Sequence, residues 1–408
     1  MFEEFPVEEY RSRLHSTRQG MKRHNLDALL LSTEANCRYL AGLVNVYWTI
    51  TMANDLQLAL VPGVESEDPI LLLPDHLRFG SAQSSWIKDR RGWSQFSTES
   101  MAAPVKSIVD VIVEKGLERG TIGMEIGKDS RLGMSLVYFQ ELSKALPGCN
   151  FVDCDNMMGE VRMVKTPAEI AIIRRACEIN CEGMIAGMQA VREGVSEIEV
   201  GNAITKRWCE VTDDFSCAHP WQMHINSSSQ RNQWFDCGPS DYRLKKGNYI
   251  VMDLCYCYKG YWSDMFRTAC IGEPDPLLEK CFNANRLGNL AGMEIIAPGV
   301  AVRDIALTIH NKWRELGLEA EIQEQVVDHN GDFSGHSSGL TIHEHPFVNS
   351  KETRKLEPGM HLMIEGMLMD RKPFSESTVC VGIEDSVLVV ETGHERLTEM
   401  VPDELFIK

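Results

Sequence analysis

The hydrophobic pattern of the chain changes character along its length. Up to about residue 155, short apolar runs at 28–31, 57–62 and 69–73 alternate with amphipathic stretches such as 10–24 and 103–118. Strand-like segments alternating with helix-like ones predict a small α/β domain. The tetrapeptide Thr166-Pro167-Ala168-Glu169 then carries a helix start. Thr is placed to cap the helix, Pro occupies the first helical position, and Glu follows Thr by three residues. A helix from 168 to about 192 therefore opens a second region, and domains of 1–158 and 159–408 are expected.

The second region repeats itself. Gly194-Val195-Ser196 leads to Ile198, Ile204 and Trp208, and Gly299-Val300-Ala301 leads to Arg303, Ile309 and Trp313, an offset of 105 (194 to 299). Both copies read as amphipathic helices after a turn, and Ser196 with Glu199 has the spacing of a capping box. Further on, Leu244-Lys245-Lys246-Gly247 precedes Asp253 as Leu356-Glu357-Pro358-Gly359 precedes Glu365, an offset of 112 (253 to 365). A duplicated unit of helices and hairpins sets these two acids at related positions of two halves.

Composition narrows the classes without choosing one. Of 408 residues, 43% are hydrophobic and 25% charged, as in an ordinary globular protein with a substantial core. A net charge of −18 argues against a nucleic-acid or anionic-membrane partner. The N-terminus lacks the basic and apolar regions of a signal peptide, and no apolar run is long enough to span a bilayer. A cytoplasmic protein is expected. The 13 cysteines are odd in number, scattered and without a CxxC pair, which predicts reduced and mostly buried thiols.

Five residues fall where a two-metal centre needs them: Asp253, Asp264, His336, Glu365 and Glu384. Residues 248–256 read as a strand, and 261–271 as its return. A turn centred between Tyr258 and Lys259 sets Asp253 directly opposite Asp264. Carboxylates that close repel unless a cation or a proton lies between them. His336, His343 and His345 lie within one Gly-punctuated segment, whose backbone can approach a site closely. Glu365 and Glu384 are acids inside apolar strands, so each needs a partner.

At these residues the chain resembles the pita-bread metallopeptidases, a superfamily that includes Xaa-Pro dipeptidase (prolidase), aminopeptidase P and methionine aminopeptidase. The resemblance runs from about residue 162 to the C-terminus. It rests on the segment 162–170, on Asp253 with Asp264, Gly335-His336 and His343-Glu344, and on Pro358-Gly359-Met360 with Glu365 and Ile383-Glu384-Asp385. The N-terminal region is similar in size and pattern to the creatinase/prolidase N-terminal domain. The resemblance implies an α+β protein: a pita-bread catalytic domain with internal duplication, preceded by a smaller α/β domain. It implies two divalent ions, Mn²⁺, Fe²⁺ or Co²⁺ ahead of Zn²⁺, and a homodimer. Asp264 and Glu384 would bridge the ions, Asp253 would hold one, and His336 with Glu365 the other. His343 would hydrogen-bond the substrate carbonyl, and Glu365 would carry protons.

The chain departs from the peptidases in two places. Their substrate-facing His before the first metal Asp is missing from the stretch 232–239, and Gly382 stands where prolidase-like members tend to have Arg. Asp236 is a candidate substrate contact, and whether it or Cys237 has taken over from that His is left open by the sequence. Trp234, Phe235, Tyr261 and Trp262 are candidate walls of an aromatic pocket, and His345 a further substrate contact. The expected function is hydrolysis of a small peptide or amide of the Xaa-Pro type. The alternative is a metal-dependent non-peptidase on the same fold acting on a small zwitterion. Relatives of that kind include a dimethylsulfoniopropionate lyase, creatinase and ectoine hydrolase.

Overall fold

The computed structural model describes residues 5–44, 56–94, 102–128, 131–214, 221–227, 238–322, 332–368 and 380–408. The chain divides into two compact units, the first ending at Arg162 and the second beginning at Met163.

The first unit is built on a six-stranded sheet of β1 (Ala28–Leu31), β2 (Leu58–Pro62), β3 (Ile70–Pro74), β4 (Arg90–Trp93), β5 (Thr121–Met124) and β6 (Asn150–Asp153). The order is β4-β3-β2-β1-β5-β6. β1, β2 and β3 are buried at every position, which is why the sequence shows them as unbroken apolar runs. Helices α1 (Val7–Arg23), α2 (Glu34–Ala41), α3 (Asp75–Ser84), α4 (Ala102–Glu114), α5 (Leu136–Ala145) and α6 (Asp155–Met163) alternate with them. Ile108 and Ile112 of α4 and Tyr138 and Leu142 of α5 pack in one core with Leu30, Leu60 and Leu72. Each such side chain contributes about 1.5–3 kcal/mol on full burial.

The second unit opens with α7 (Pro167–Ala190) and α8 (Glu197–Val211). The capping boxes read from the sequence are formed: Thr166 accepts from Glu169 N while the Glu169 carboxylate accepts from Thr166 N, and Ser196 and Glu199 do the same. A four-stranded sheet follows, of β7 (Trp221–Ser227), β8 (Tyr249–Tyr258), β9 (Tyr261–Cys270) and the C-terminal β15 (Phe406–Ile407), in the order β15-β9-β8-β7. Then come α9 (Pro276–Glu294), α10 (Val302–Glu315) and the short α11 (Glu319–Ile322). A five-stranded sheet of β10 (Gly335–Ser337), β11 (Glu344–Val348), β12 (His361–Ile364), β13 (Asp385–Val390) and β14 (Gly393–Arg396) completes the unit, in the order β11-β10-β12-β13-β14. Among the described residues no helix is long and apolar enough to cross a membrane.

The repeat is a packing repeat. Gly183 of α7 lets Trp208 of α8 lie against the helix backbone, and Gly288 of α9 does the same for Trp313 of α10. Gly187 faces Ile204 as Gly292 faces Ile309. Asn180 Nδ2 donates to the Leu254 carbonyl in the first half, and Asn285 Nδ2 to the Leu368 and Val381 carbonyls in the second. The turns that enter α8 and α10 are tied alike, Gly194 N to Leu244 O and Gly299 N to Leu356 O, each at 2.8 Å. Two helix pairs thus back two strand sets, with Asp253 and Asp264 on β8 and β9 and Glu365 and Glu384 beside the ends of β12 and β13.

Candidate metal centre

The hairpin of β8 and β9 turns through Lys259 (φ 46°) and Gly260 (φ 81°), with Tyr258 paired to Tyr261. Two consecutive positive φ values are the signature of the tight two-residue turn whose twist matches antiparallel strands. This corrects the expected register. The turn is centred one residue later than predicted, so Asp253 lies opposite Phe266, and Asp264 lies opposite Cys255. A shift of one residue in the turn moves the pairing by two, which keeps both acids on one face as diagonal neighbours.

Strand parity then decides what shares that face. Cys257 and Trp262, Cys255 and Asp264, and Asp253 and Phe266 are opposed pairs on the acidic side. Tyr261 has the other parity: it is 1% exposed, and its hydroxyl donates to Glu169 of α7 at 2.9 Å. Tyr261, expected at the substrate, is therefore a core residue behind the hairpin. On the other flank β7 sets His224 opposite Asp253. Sequence reading missed His224, because its relevance comes from a pairing between distant strands; the alternation of 221–227 was its only local signal.

The remaining ligands arrive from the second sheet. His336 is central in β10, fully buried, and its Nδ1 donates to the Ser337 carbonyl at 2.9 Å. In the neutral ring that bond leaves the lone pair on Nε2. Nε2 lies 3.3 Å from Glu365 Oε1 and 3.7 Å from Glu384 Oε1. Glu365 follows β12 and is held by its amide, which donates to the Ser334 carbonyl. Glu384 joins the two sheets. Its amide donates to the Phe266 carbonyl at 3.0 Å, and its carbonyl accepts from Arg267 Nη1 at 2.7 Å. Arg267 is itself fixed by a buried ion pair to Asp385 at 2.7 Å. His343 lies edge-on to His336, with ring centroids 4.4 Å apart, and is open to solvent. His345 packs on Phe347. Trp234, Phe235 and Asp236 lie outside the described residues.

Burial and mutual repulsion set the electrostatics of the cluster. Removal from water, then the neighbouring carboxylates Asp264 and Glu365, push Asp253 well above the usual carboxylate range. Burial and then Glu384 do the same to Asp264, and burial and then Glu365 to Glu384. Burial opposes a charge on His336, but Glu365 and Glu384 outweigh it and raise its pKa well above that of a free histidine. Partial removal from water, then the charge of His336, lowers that of His343. His336 Nε2 and Glu384 Oε1 are buried with no hydrogen-bond partner among the described residues. Asp264, His336 and Glu384 present ligand atoms all within 4.8 Å of one another, and so do Asp253, Cys255 and Asp264. These residues fit divalent ions.

Comparison with known sequences identifies the family. Residues 171–391 match metallopeptidase family M24, and residues 13–164 match the creatinase/prolidase N-terminal domain. The chain belongs to metallopeptidase family M24. It is thus a metal-dependent hydrolase in which the pita-bread fold follows an α/β domain. Among curated sequences it is similar to an uncharacterized peptidase of Staphylococcus saprophyticus, 28% identical over 262 residues, which cover 64% of this chain and 69% of that one. Among solved structures, a prolidase from Thermococcus sibiricus superposes with a TM-score of 0.80 at 20% identity, covering 98% of this chain and 99% of that one. An Xaa-Pro dipeptidase from Bacillus anthracis gives 0.77 at 21% identity, covering 98% and 100%. At such identities the superpositions establish the fold. Within this M24 chain the acids and His336 converge on one centre, with His343 beside it.

Proposed function

We propose that the protein is a dinuclear metal-dependent peptidase, hydrolysing Xaa-Pro dipeptides or closely related small peptides and amides. One observation carries the reading: the two donor groups share Asp264. A carboxylate common to two donor sets is what a pair of ions needs for a bridge, with Glu384 as the second bridging candidate. Ions at this centre would supply Lewis acidity and an activated water at neutral pH.

The chain's own residues supply the rest. Glu365 is partly exposed beside His336, which suits a carboxylate that takes a proton from the attacking water and returns it to the leaving amine. His343 is kept neutral by its surroundings and open to the cleft. Its N–H can therefore donate to the scissile carbonyl as negative charge develops there. Trp262 shares the face of Asp264 and is positioned to form an apolar wall for a proline ring. His224, opposite Asp253, is placed to serve in lieu of the missing upstream histidine.

The second reading, a small zwitterion as substrate, is favoured by Gly382. A Cβ there would approach Asn285 Cβ at 3.2 Å, a tight contact that suits glycine where prolidase-like members tend to have Arg. The discriminating experiment is turnover by the Mn²⁺-, Fe²⁺-, Co²⁺- or Zn²⁺-loaded protein on Xaa-Pro dipeptides, other dipeptides and methylated zwitterions. Chelator-sensitive cleavage of Xaa-Pro bonds is the expected result. Turnover confined to zwitterions would replace the peptidase reading with the second.

A further inference from the structure

Cys255 sits on the ligand face of β8, yet the five-ligand set gives it no role. It is 4% exposed, opposes Asp264 across the hairpin, and donates from Sγ to Asp264 Oδ1 at 3.2 Å. Its sulfur and the ligand oxygens of Asp253 and Asp264 all lie within 4.8 Å of one another. Sulfur and oxygen donors sit about 2.3 and 2.0–2.2 Å from a transition-metal ion, so donors on opposite sides of one ion are roughly 4.5 Å apart. The observed spread therefore needs only small side-chain rotations to close around an ion. His336 Nε2 and Glu384 Oε1, buried and without a hydrogen-bond partner among the described residues, lie in the donor group that shares Asp264. The carboxylate and imidazole donors are also unevenly shared. Beyond the bridging acids, one ion would have His336 and Glu365, and the other only Asp253.

We propose that Cys255 is a sixth donor of the metal centre, ligating through Sγ the ion held by Asp253. The inference rests on the dinuclear reading. Loading breaks the S–H bond, forms a sulfur–metal bond and releases one proton to solvent, with no change in oxidation state. A thiolate among carboxylates biases that position toward Zn²⁺, Co²⁺ or Fe²⁺ and away from Mn²⁺, which prefers oxygen donors. Cys257, on the same face but nearer the turn, belongs to neither donor group among the described residues and serves as the control.

The test is a Co²⁺ titration of the metal-free full chain, with bound cobalt counted and the near-ultraviolet sulfur-to-cobalt charge-transfer absorption recorded. The wild type and Cys257→Ser should bind two ions per chain and show the band. Cys255→Ser should lose it, and its preference for Zn²⁺ over Mn²⁺ should fall by at least the roughly tenfold that loss of an outer-sphere partner costs. Cys255→Ala serves where the serine variant does not fold. Two bound cobalt ions without the band in the wild type, or a band that survives removal of Cys255, would overturn the proposal and leave the dinuclear reading standing. Fewer than two bound ions would overturn the dinuclear reading, and the inference with it.

Discussion

His336 Nε2 and Glu384 Oε1 lie 3.7 Å apart, both buried, and neither has a hydrogen-bond partner among the described residues. One comes from the middle of β10 and the other from the bridge that joins the two sheets. Leaving two such atoms unsatisfied costs free energy in the metal-free fold. A proton held between His336 and the carboxylates, or a cation bound to both, satisfies the pair.

Glu384→Gln keeps the shape of that side chain while removing its charge. Turnover should fall on the order of 10³-fold, matching the several kcal/mol that metal-ion catalysis supplies. The metal-free protein should melt no lower than wild type, since one of several repelling carboxylates has gone. Activity assays and thermal melts of the chelated protein measure both. A large drop in the metal-free melting temperature would assign Glu384 a structural role instead.

The pH dependence of the metal-free protein follows from the same cluster. Asp253, Asp264 and Glu384 have folded-state pKa values above their unfolded ones, so the fold holds protons that the unfolded chain releases. Their contribution is most favourable below about pH 4 and declines as pH rises toward the folded values. His336, also raised, contributes below about pH 6.5 and loses that contribution as pH rises through its folded value. Both trends run the same way. The gain in melting temperature on adding metal should therefore grow between about pH 5 and 8, with proton release on binding. A gain independent of pH would contradict this.

The two glycine–tryptophan contacts give a paired prediction about the duplication. A Cβ at Gly288 would lie 2.6 Å from Trp313 Nε1, and one at Gly183 would collide with Trp208 Nε1. Gly183→Ala and Gly288→Ala should each cost about 1–3 kcal/mol from overpacking, offset by up to about 1 kcal/mol of helix propensity. Gly183→Ala should cost more. Denaturant melts decide it, and neutrality at both sites would mean the tryptophans move freely.

Tyr261 and Trp262 are adjacent but face opposite ways, so their variants should separate stability from binding. Tyr261→Phe removes a buried donor from Glu169 and should cost about 1–3 kcal/mol with KM unchanged. Trp262→Ala should raise KM with a smaller loss of stability. The reverse pattern, read from kinetics and melts together, would return Tyr261 to the pocket.

Much of this was legible in the sequence because it is encoded locally. The apolar runs of β1 to β3, the capping boxes at Thr166 and Ser196, and the 105-residue spacing of Trp208 and Trp313 are written in neighbouring residues. The hairpin register was not. Lys259 occupies a left-handed position usually filled by Asn, Asp or Gly, and that concealed where the turn lies. His224 was not legible as a site residue either, since it is placed by the strand opposite. A tyrosine and a tryptophan side by side look equally suited to a pocket until strand parity separates them.

The most direct measurement is the metal content of the purified, folded full chain after saturation and removal of loosely held ions. Two divalent ions per chain are expected, falling in Asp264→Asn and Glu384→Gln with the fold intact by circular dichroism. A folded wild-type chain holding one ion or none, or variants that retain both, would contradict that expectation.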